Sequence, residues 1–255
     1  MSNQNADSGR FVWYELLSKD PKASIAFYSK VIGWSTVSFG QGDYVMWVAE
    51  QGPVGGVMGL PNEAPIPSSW TASVQVEDVD ATASLARKLG GTVLKEPEQI
   101  PGVGRFAVIA DPQKARLTIS RMDSPMNRRD SSKRGEFCWN ELLTTDFAGA
   151  FEFYSALFGW KSVQDMDMGP VGTYRVFGTG ESQLGGMMNL PKGAPTPPMW
   201  LFYVETPNLD DALATAVKEG ATVMNGPVDV PGGGRIVQMM DPQQAAFALH
   251  QSPKK

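Results

Sequence analysis

The chain is poor in residues that form disulfides and metal sites. Its 255 residues include one cysteine, Cys138, and one histidine, His250. One cysteine excludes an intrachain disulfide, which fits a reducing compartment. No run of about 18 apolar residues marks a transmembrane helix. The polar N-terminus, MSNQNADSGR, lacks the apolar segment of a signal peptide. We therefore predict a cytoplasmic protein that does not interact with membranes.

Positive charge is also scarce. The 22 Lys and Arg residues are outnumbered by 27 Asp and Glu residues, which gives a net charge of -5. Nucleic-acid-binding proteins present a basic field, so we predict no nucleic-acid partner. The hydrophobic share of 42% is enough for two ordinary domains with their own cores. The oligomeric state is left open, and a monomer is compatible with the sequence.

One stretch of the chain is written twice. The sequence from Trp13 to Trp34 returns at Trp139 to Trp160, and 10 of the 22 positions are identical. Each copy holds an apolar run, an aspartate, a Phe-Tyr pair and a closing Gly-Trp. After Trp160 four residues are inserted, and the correspondence continues to the end of the chain. An internal repeat of this length indicates duplicated structural units.

Within each half the local signals predict two modules. In the first, the run Phe11–Leu17 predicts a strand. Asp20-Pro21 predicts a helix start, because Asp caps helices and Pro is favoured at the first position. Gly33 ends the helix. The strands that follow are Ser35–Phe39, Tyr44–Glu50 and Pro53–Leu60. The order is therefore β-α-β-β-β.

The second module restarts the same order. The segments are a strand Trp70–Val76, a helix Val79–Leu89 capped by Asp78, and strands Thr92–Lys95, Gly104–Ala110 and Arg116–Arg121. On the helix, Ala81, Leu85 and Leu89 share one face.

We predict an α+β fold of four βαβββ modules. The predicted segments are an arm (1–9), a first domain (10–121, modules 10–61 and 69–121), a linker (122–135) and a second domain (136–252, modules 136–191 and 199–252).

The basic residues of the linker are interpreted as solubilising; they are Arg128, Arg129, Lys133 and Arg134.

Two questions about the organisation of the modules stay open at the sequence level. Adjacent modules could pair, or the first could pair with the fourth. One half could also have become a purely structural partner, since Tyr14 is replaced by Asn140 in the second copy.

The motifs D…FY…GW in odd modules and D…A…GG…DP in even modules resemble the vicinal oxygen chelate superfamily. That superfamily includes glyoxalase I, extradiol dioxygenases and bleomycin-resistance proteins. The resemblance covers residues 10–252. It implies two cup-shaped mixed β-sheets with helices outside, and the cup is the usual ligand site. It does not determine the chemistry, because one fold hosts many functions.

The resemblance also implies where a metal would bind. Metal-dependent members hold a divalent ion with His, Gln or Glu at four places in the cup. The matching positions are Trp13, Met58, Thr71 and Thr118, and in the second half Trp139, Met188, Leu201 and Ala248. None offers the imidazole or carboxylate that such ions prefer. We predict no metal and no cofactor, and no metal-dependent glyoxalase or dioxygenase activity.

Two glutamates are the candidate acid–base residues. Because strand residues alternate between faces, Glu15 shares a face with Trp13, and Glu141 shares one with Trp139. A carboxylate beside an indole would be partly desolvated and could exchange protons with a ligand. The alternative is a structural ion pair of each glutamate with Arg105 or Arg235. The glycine-rich loops before these arginines are interpreted as turns.

The remaining candidates are ligand contacts. Aromatic and methionine side chains could line an apolar pocket for a flat organic molecule, and the alternative is core packing. The candidates are Trp13, Trp47, Met58, Thr118, Trp139, Tyr174, Met188, Arg105 and Arg235. Cys138 is expected to face the helices with no histidine nearby, which argues against a catalytic thiol. His250 is interpreted as a surface or strand-end residue.

Two hypotheses follow. The first is a metal-independent glyoxalase-like protein that binds a small apolar or aromatic molecule in its cup, for sequestration or resistance. The second is a metal-free isomerase, epimerase or lyase in which Glu15 or Glu141 is the acid or base. The sequence does not decide whether the protein is an enzyme.

Overall fold

Four βαβββ modules follow one another along the chain, as the sequence predicts. The computed structural model describes residues 8–40, 42–60, 66–124, 128–180, 182–194 and 196–253. Residues 1–7 of the predicted arm lie outside this range. Gly9 is not part of a free arm, because it is buried and its amide donates to the Gln75 carbonyl over 2.8 Å.

The elements of the first half are β1 (Phe11–Ser18), α1 (Pro21–Val31), β2 (Ser35–Ser38), β3 (Val45–Ala49), β4 (Gly52–Gly59), β5 (Ser69–Gln75), α2 (Val79–Lys88), β6 (Thr92–Ile100), β7 (Gly104–Ala110) and β8 (Arg116–Met122). Those of the second half are β9 (Phe137–Thr144), α3 (Phe147–Phe158), β10 (Lys161–Asp167), β11 (Thr173–Thr179), β12 (Ser182–Asn189), β13 (Met199–Glu205), α4 (Leu209–Lys218), β14 (Thr222–Asp229), β15 (Arg235–Met240) and β16 (Ala246–Gln251). A short 3₁₀ helix, Gly169–Val171, lies at the end of the inserted region.

Capping side chains begin the four helices named above, as the sequence predicts for Asp20 and Asp78. Each capping side chain accepts a backbone N–H of the first turn: Asp20 from Ala23, Asp78 from Ala81, Asp146 from Gly149, and Asn208 from Asp210 and Asp211. Gly33 follows α1 with a φ of +90°, which favours glycine. Among the described residues, none of the helices is long and apolar enough to cross a membrane.

Hydrogen bonding arranges the strands in two mixed sheets of eight. The orders are β2-β3-β4-β1-β5-β8-β7-β6 and β10-β11-β12-β9-β13-β16-β15-β14. In every module the first strand pairs in parallel with the last, and the last three strands form an antiparallel meander. The α+β class and the four repeated modules are therefore confirmed.

The compact units of the chain group the modules differently from the sheets. Unit 1 comprises Met1–Val12, Ala72–Asn127 and Asn140–Trp200, and so contains the second and third modules. Unit 2 comprises Trp13–Thr71, Arg128–Trp139 and Leu201–Lys255, and so contains the first and fourth. The eight-stranded sheets, by contrast, each join adjacent modules, the first with the second and the third with the fourth.

The core of each unit is an aromatic cluster on the helix side. In unit 2 a chain of ring contacts links Tyr28, Trp34, Trp47, Trp70 and Phe137. In unit 1 the corresponding cluster consists of Phe11, Tyr154, Trp160, Phe177 and Trp200. Aromatic pairs in such tilted and edge-on arrangements contribute beyond the area that they bury. The repeated Phe-Tyr and Gly-Trp motifs thus supply the core.

A buried carboxylate clasp joins the two modules of each unit. In unit 2 the Trp70 indole donates to the Tyr28 hydroxyl over 2.8 Å, and Tyr28 donates to Asp241 Oδ2 over 3.0 Å. The other Asp241 oxygen accepts the amides of Gln243 and Ala245. Unit 1 repeats the clasp with Trp200, Tyr154 and Asp111. The Asp-Pro turns of even modules are therefore bound by the helices of odd modules.

Replacing Asp241 with asparagine should change how stability depends on pH. Burial raises the pKa of the Asp241 carboxyl, so the folded chain holds this proton more tightly than the unfolded chain. The resulting stabilisation is complete below the unfolded pKa of about 3.9 and is lost as the pH rises through the folded value. Urea denaturation midpoints from about pH 4 to about pH 7 should show the wild type losing stability relative to Asp241→Asn. Two curves that stay parallel over this range would contradict the prediction.

The linker takes part in the structure of unit 2. The guanidinium of Arg129 binds both carboxylate oxygens of Glu136, over 2.5 and 2.6 Å. It also donates to the carbonyls of Gly52 and Pro53 at the β3–β4 turn. The interpretation of Arg129 as a solubilising residue was therefore wrong, because its charge neutralises a buried carboxylate.

Candidate functional site

Unit 2 carries a hydrogen-bonded set of three side chains. The Trp13 indole donates to the Tyr44 hydroxyl over 2.8 Å, and Tyr44 donates to Glu15 Oε1 over 3.0 Å. Trp13 and Glu15 lie on β1, as predicted on one face, and Tyr44 directly precedes β3. All three side chains are half-buried. The sequence predicted Trp13 and Glu15 as site residues but did not place Tyr44 between them.

A glycine makes room for this arrangement. The parallel register of β1 and β4 sets Glu15 opposite Gly56. A Cβ on Gly56 would lie 2.1 Å from the Tyr44 hydroxyl oxygen and 2.3 Å from the ring carbon that bears it. Only glycine therefore allows the phenol to lie across β4 and reach the glutamate. The Gly-Gly pair visible in both halves of the sequence has this structural cause.

Unit 1 repeats the geometry with its own residues. Glu141 lies opposite Gly186 in the register of β9 and β12. A Cβ on Gly186 would lie 2.1 Å from the Tyr174 hydroxyl oxygen. The predicted site residues Glu141 and Tyr174 therefore share one place in unit 1, as Glu15 and Tyr44 do in unit 2. Glu141 is buried and Tyr174 is half-buried.

The electrostatics of the set make Tyr44 a hydrogen-bond donor. Burial raises the pKa of the Tyr44 phenol far above its ordinary value, and the negative charge of Glu15 raises it further. The phenol is therefore neutral at physiological pH and donates to the carboxylate. Proton exchange with a ligand would have to involve Glu15, with Tyr44 orienting the carboxylate.

Around this set the face of unit 2 is apolar and open. Gly56 and Met58 point to the same side of β4, because strand residues alternate, and Met58 is 38% exposed. The Phe39 ring lies 6.2 Å from the Tyr44 ring and is 45% exposed. Val37, two residues before Phe39, is 46% exposed. We call the surface formed by Trp13, Glu15, Val37, Phe39, Tyr44 and Met58 the aromatic face.

Several predicted ligand contacts lie elsewhere. Trp47 is 0% exposed, and its indole donates to the Gly56 carbonyl over 2.9 Å. It is a core residue, so its predicted role as a ligand contact was wrong. Thr118 is buried in β8. Trp139 and Met188 are half-buried on β9 and β12, and their roles as ligand contacts stay predictions.

The two repeated arginines pair with aspartates. Arg105 binds both carboxylate oxygens of Asp80 at the start of α2, over 2.5 and 2.7 Å. Arg235 binds Asp210 at the start of α4 over 2.9 and 3.1 Å. The expected partners were the glutamates Glu15 and Glu141, and this alternative was wrong. Both bridges are substantially exposed, so each contributes little to stability.

Arg235 also lines a cleft of about 460 Å³ in unit 2. Its walls come from the start of α4, the glycine-rich loop before β15 and the residues after β16; they are Pro207, Asn208, Asp210, Gly233, Arg235, Gln251, Ser252 and Pro253. The cleft lies at the rim of module four, and its polar groups are engaged with one another through the Arg235–Asp210 bridge.

The single cysteine and the single histidine lie close together, contrary to the expectation from the sequence. Donor atoms of Cys138, Glu205 and His250 all lie within 4.8 Å of one another. His250 Nδ1 lies 2.5 Å from Glu205 Oε2. The expectation that no histidine lies near Cys138 was therefore wrong. Burial and the Glu205 charge raise the pKa of the Cys138 thiol, so this thiol is not an activated nucleophile.

The metal positions implied by the family resemblance do not fit a divalent ion. Four of the eight side chains are Trp13, Trp139, Leu201 and Ala248, which offer no ligand atom. Met58 and Met188 provide thioethers, and Thr71 and Thr118 provide neutral hydroxyls. Hard and borderline ions prefer carboxylates and imidazoles. No step through a metal at this place follows from the residues present.

Comparison with known proteins agrees with this fold. The family model described as the Glyoxalase/Bleomycin resistance protein/Dioxygenase superfamily matches residues 10–119 and 139–249. CFP32 of Mycobacterium tuberculosis, a protein with a provisional glyoxylase name, is 30% identical over 243 residues, covering 93% of this chain and 92% of the relative. The anthracycline biosynthesis protein DnrV of Streptomyces peucetius is 28% identical over 258 residues, covering 94% and 92%.

Solved structures show the same architecture at low sequence identity. The Mn(II)-bound glyoxalase from Novosphingobium aromaticivorans is 15% identical with a TM-score of 0.66, covering 97% of this chain and 83% of that one. The 2,2',3-trihydroxybiphenyl 1,2-dioxygenase of Sphingomonas wittichii is 14% identical with a TM-score of 0.68, covering 96% and 90%. These likenesses concern the fold alone. With its repeated βαβββ modules and a family match over both halves, the chain belongs to the glyoxalase/bleomycin resistance protein/dioxygenase superfamily.

Proposed function

We propose that the protein binds a small, flat aromatic molecule on the aromatic face of unit 2, without a metal at the family's ligand positions. The observation that carries the proposal is the combination of exposed apolar side chains with one linked polar set, Trp13–Tyr44–Glu15. Ligand sites are built in this way, from apolar walls and a few placed polar groups. Sequestration of such a molecule is the role that follows most directly.

The chemistry of the face indicates what it would select. Phe39, Val37 and Met58 offer exposed apolar area, and the thioether adapts to irregular shapes. The polar set supplies a carboxylate and a phenol that could bind a hydroxyl or carbonyl on the ring system. A relative named for anthracycline biosynthesis is consistent with fused-ring ligands.

Binding of a water-soluble anthraquinone sulfonate, followed by isothermal titration calorimetry, would test the proposal. Tyr44→Phe keeps the ring above Gly56 but removes the hydroxyl that orients Glu15. We expect it to weaken binding about 10-fold, which corresponds to about 1.4 kcal/mol, the value of one hydrogen bond in a buried site. The matched substitution in unit 1, Tyr174→Phe, should leave this binding event unchanged.

A further variant, Glu15→Gln, separates binding from catalysis. The hydrogen bond between Tyr44 and Glu15 favours an acid–base enzyme as the second candidate, an isomerase, epimerase or lyase. Under that reading Glu15→Gln would abolish turnover of the bound compound while its dissociation constant changes little. If neither the wild type nor any variant bound the probe or related fused-ring compounds, the proposed function would be wrong.

A further inference from the structure

Unit 2 contains a cluster of ligating side chains that the proposed function does not use. Cys138 lies on β9, Glu205 ends β13 and His250 lies on β16. Their donor atoms lie within 4.8 Å of one another. The side chain of Glu205 is 6% exposed and that of His250 is 22% exposed. These three residues, which we call the Cys-Glu-His cluster, provide a thiol, a carboxylate and an imidazole at one point.

Strand pairing fixes the positions of the three side chains. The parallel register of β13 and β16 sets Glu205 opposite His250. Strand β9 neighbours β13, and the Cys138 thiol lies 3.4 Å from the Tyr203 carbonyl. Glu205 is anchored further, since its Oε1 accepts the Ser252 amide over 2.8 Å. Ligands that are held by strands and by a second hydrogen bond are pre-organised for a metal ion.

A glycine makes room for the histidine. A Cβ on Gly234 would lie 2.5 Å from His250 Nε2, so the absence of a side chain there lets the imidazole occupy its place. Ser252, whose amide binds Glu205, also lines the 460 Å³ cleft, as does Gln251 next to His250. The cleft is therefore lined by the residue whose amide anchors Glu205.

The corresponding place in unit 1 is occupied by different residues. The repeat equates Cys138, Glu205 and His250 with Val12, Gln75 and Ser120. Gln75 and Ser120 are opposite in the register of β5 and β8, as Glu205 and His250 are in β13 and β16. The fold thus forms the same junction from a valine and two neutral polar residues. An acid, a histidine and the only cysteine are not required by the architecture.

We propose that Cys138, Glu205 and His250 form a binding site for a divalent transition-metal ion of the zinc type. Thiolate and imidazole suit zinc, and a carboxylate completes a three-ligand set that leaves a fourth position open for water or another ligand. The ion would replace the proton between His250 and Glu205 and the proton of the thiol. The site is separate in residues from the family's metal positions and from the aromatic face.

The geometry requires a small adjustment. Zinc bonds to nitrogen and oxygen of about 2.0–2.1 Å in tetrahedral geometry place these two donors about 3.3 Å apart. His250 Nδ1 and Glu205 Oε2 are 2.5 Å apart, so they must separate by about 0.8 Å. We expect the imidazole, whose side chain is 22% exposed, to move by this amount, because the buried carboxylate is held by the Ser252 amide.

Metal titration of the full-length protein tests the site. Chelator-treated protein is titrated with Co²⁺, and binding is read from the thiolate-to-cobalt charge-transfer absorption in the near ultraviolet. Zinc affinity is then measured by competition with a chromophoric chelator. We expect one ion per chain, and Cys138→Ser or His250→Gln should each weaken zinc binding by more than about 100-fold, exceeding the loss typical of outer-shell changes. Circular dichroism of the metal-free variants verifies that they are folded.

The control is Glu98→Gln, which removes an exposed carboxylate paired with Lys95 on β6. It should bind zinc as the wild type does. Wild-type protein without a charge-transfer band, or Cys138→Ser protein with unchanged zinc affinity, would overturn the proposal. Because the assay uses no organic ligand, its outcome is independent of binding at the aromatic face.

Discussion

Replacing Gly55 with alanine should destabilise the protein by about 3 kcal/mol or more, at the upper end of what overpacking costs. Gly55 lies opposite Tyr14 in the parallel pair of β1 and β4. An added Cβ would lie 2.0 Å from the Tyr14 carbonyl oxygen. This neighbour is backbone, which cannot rotate away as a side chain can. The strands must therefore separate, and that would disturb the hydrogen bonds and the core beneath them.

A control is available in the same strand. A Cβ on Gly59 would have Pro21 Cγ as its nearest neighbour, at 3.9 Å, so Gly59→Ala should remain within about 0.5 kcal/mol of the wild type. Urea denaturation of both variants measures the difference. The repeat offers a second case, since a Cβ on Gly185 would lie 1.8 Å from the Asn140 carbonyl oxygen. Equal midpoints for Gly55→Ala and Gly59→Ala would show that the strands can separate at little cost.

Local signals in the sequence were sufficient for the elements of the fold. Asp20 and Asp78 as caps and Gly33 as a stop act through neighbouring residues, and the internal repeat extends such signals to the second half. The buried face of α2 was not determined in this way. The sequence placed Ala81, Leu85 and Leu89 on one face, yet the residues that pack inward are Val79, Ala83 and Ala86. Two apolar stripes share this short helix, and small side chains occupy the one next to the sheet.

The sites depend on contacts between distant residues. Trp13 and Tyr44 are separated by 31 positions, and their hydrogen bond requires the register that sets Glu15 opposite Gly56. Alternation along β1 predicted that Trp13 and Glu15 share a face, but it contains no information on the approach of Tyr44. Glu205 and His250 are 45 positions apart, and only the register of β13 and β16 brings them together.

The choice of partners in the two buried clasps has a similar cause. Tyr28 and Asp241 belong to the first and fourth modules, and Tyr154 and Asp111 belong to the third and second. Both partners of each clasp are visible in the sequence as repeated Phe-Tyr and Asp-Pro motifs. Because each motif occurs twice, the sequence is equally compatible with adjacent and crossed partners. Only the three-dimensional contacts distinguish the two arrangements.

Loss of the Arg129 side chain should cost about 3–5 kcal/mol, the range observed when a buried ion pair loses one partner. The Glu136 side chain is 2% exposed and that of Arg129 is 24% exposed. Arg129→Ala would leave the Glu136 carboxylate buried without its bidentate partner, and it would also remove the donors to the carbonyls of Gly52 and Pro53. Arg129→Lys keeps the charge but not the planar fork, so an intermediate loss is expected.

Two further variants identify the origin of the effect. Lys133 lies in the same segment with an exposed side chain, and Lys133→Ala should change stability by less than about 0.5 kcal/mol. The double variant Arg129→Met, Glu136→Leu removes both charges and should recover most of the loss, because a buried pair replaced by apolar residues is often neutral. If the double variant were as unstable as Arg129→Ala, the backbone contacts at Gly52 and Pro53, and not the burial of an unpaired Glu136 carboxylate, would account for the stability that Arg129 provides.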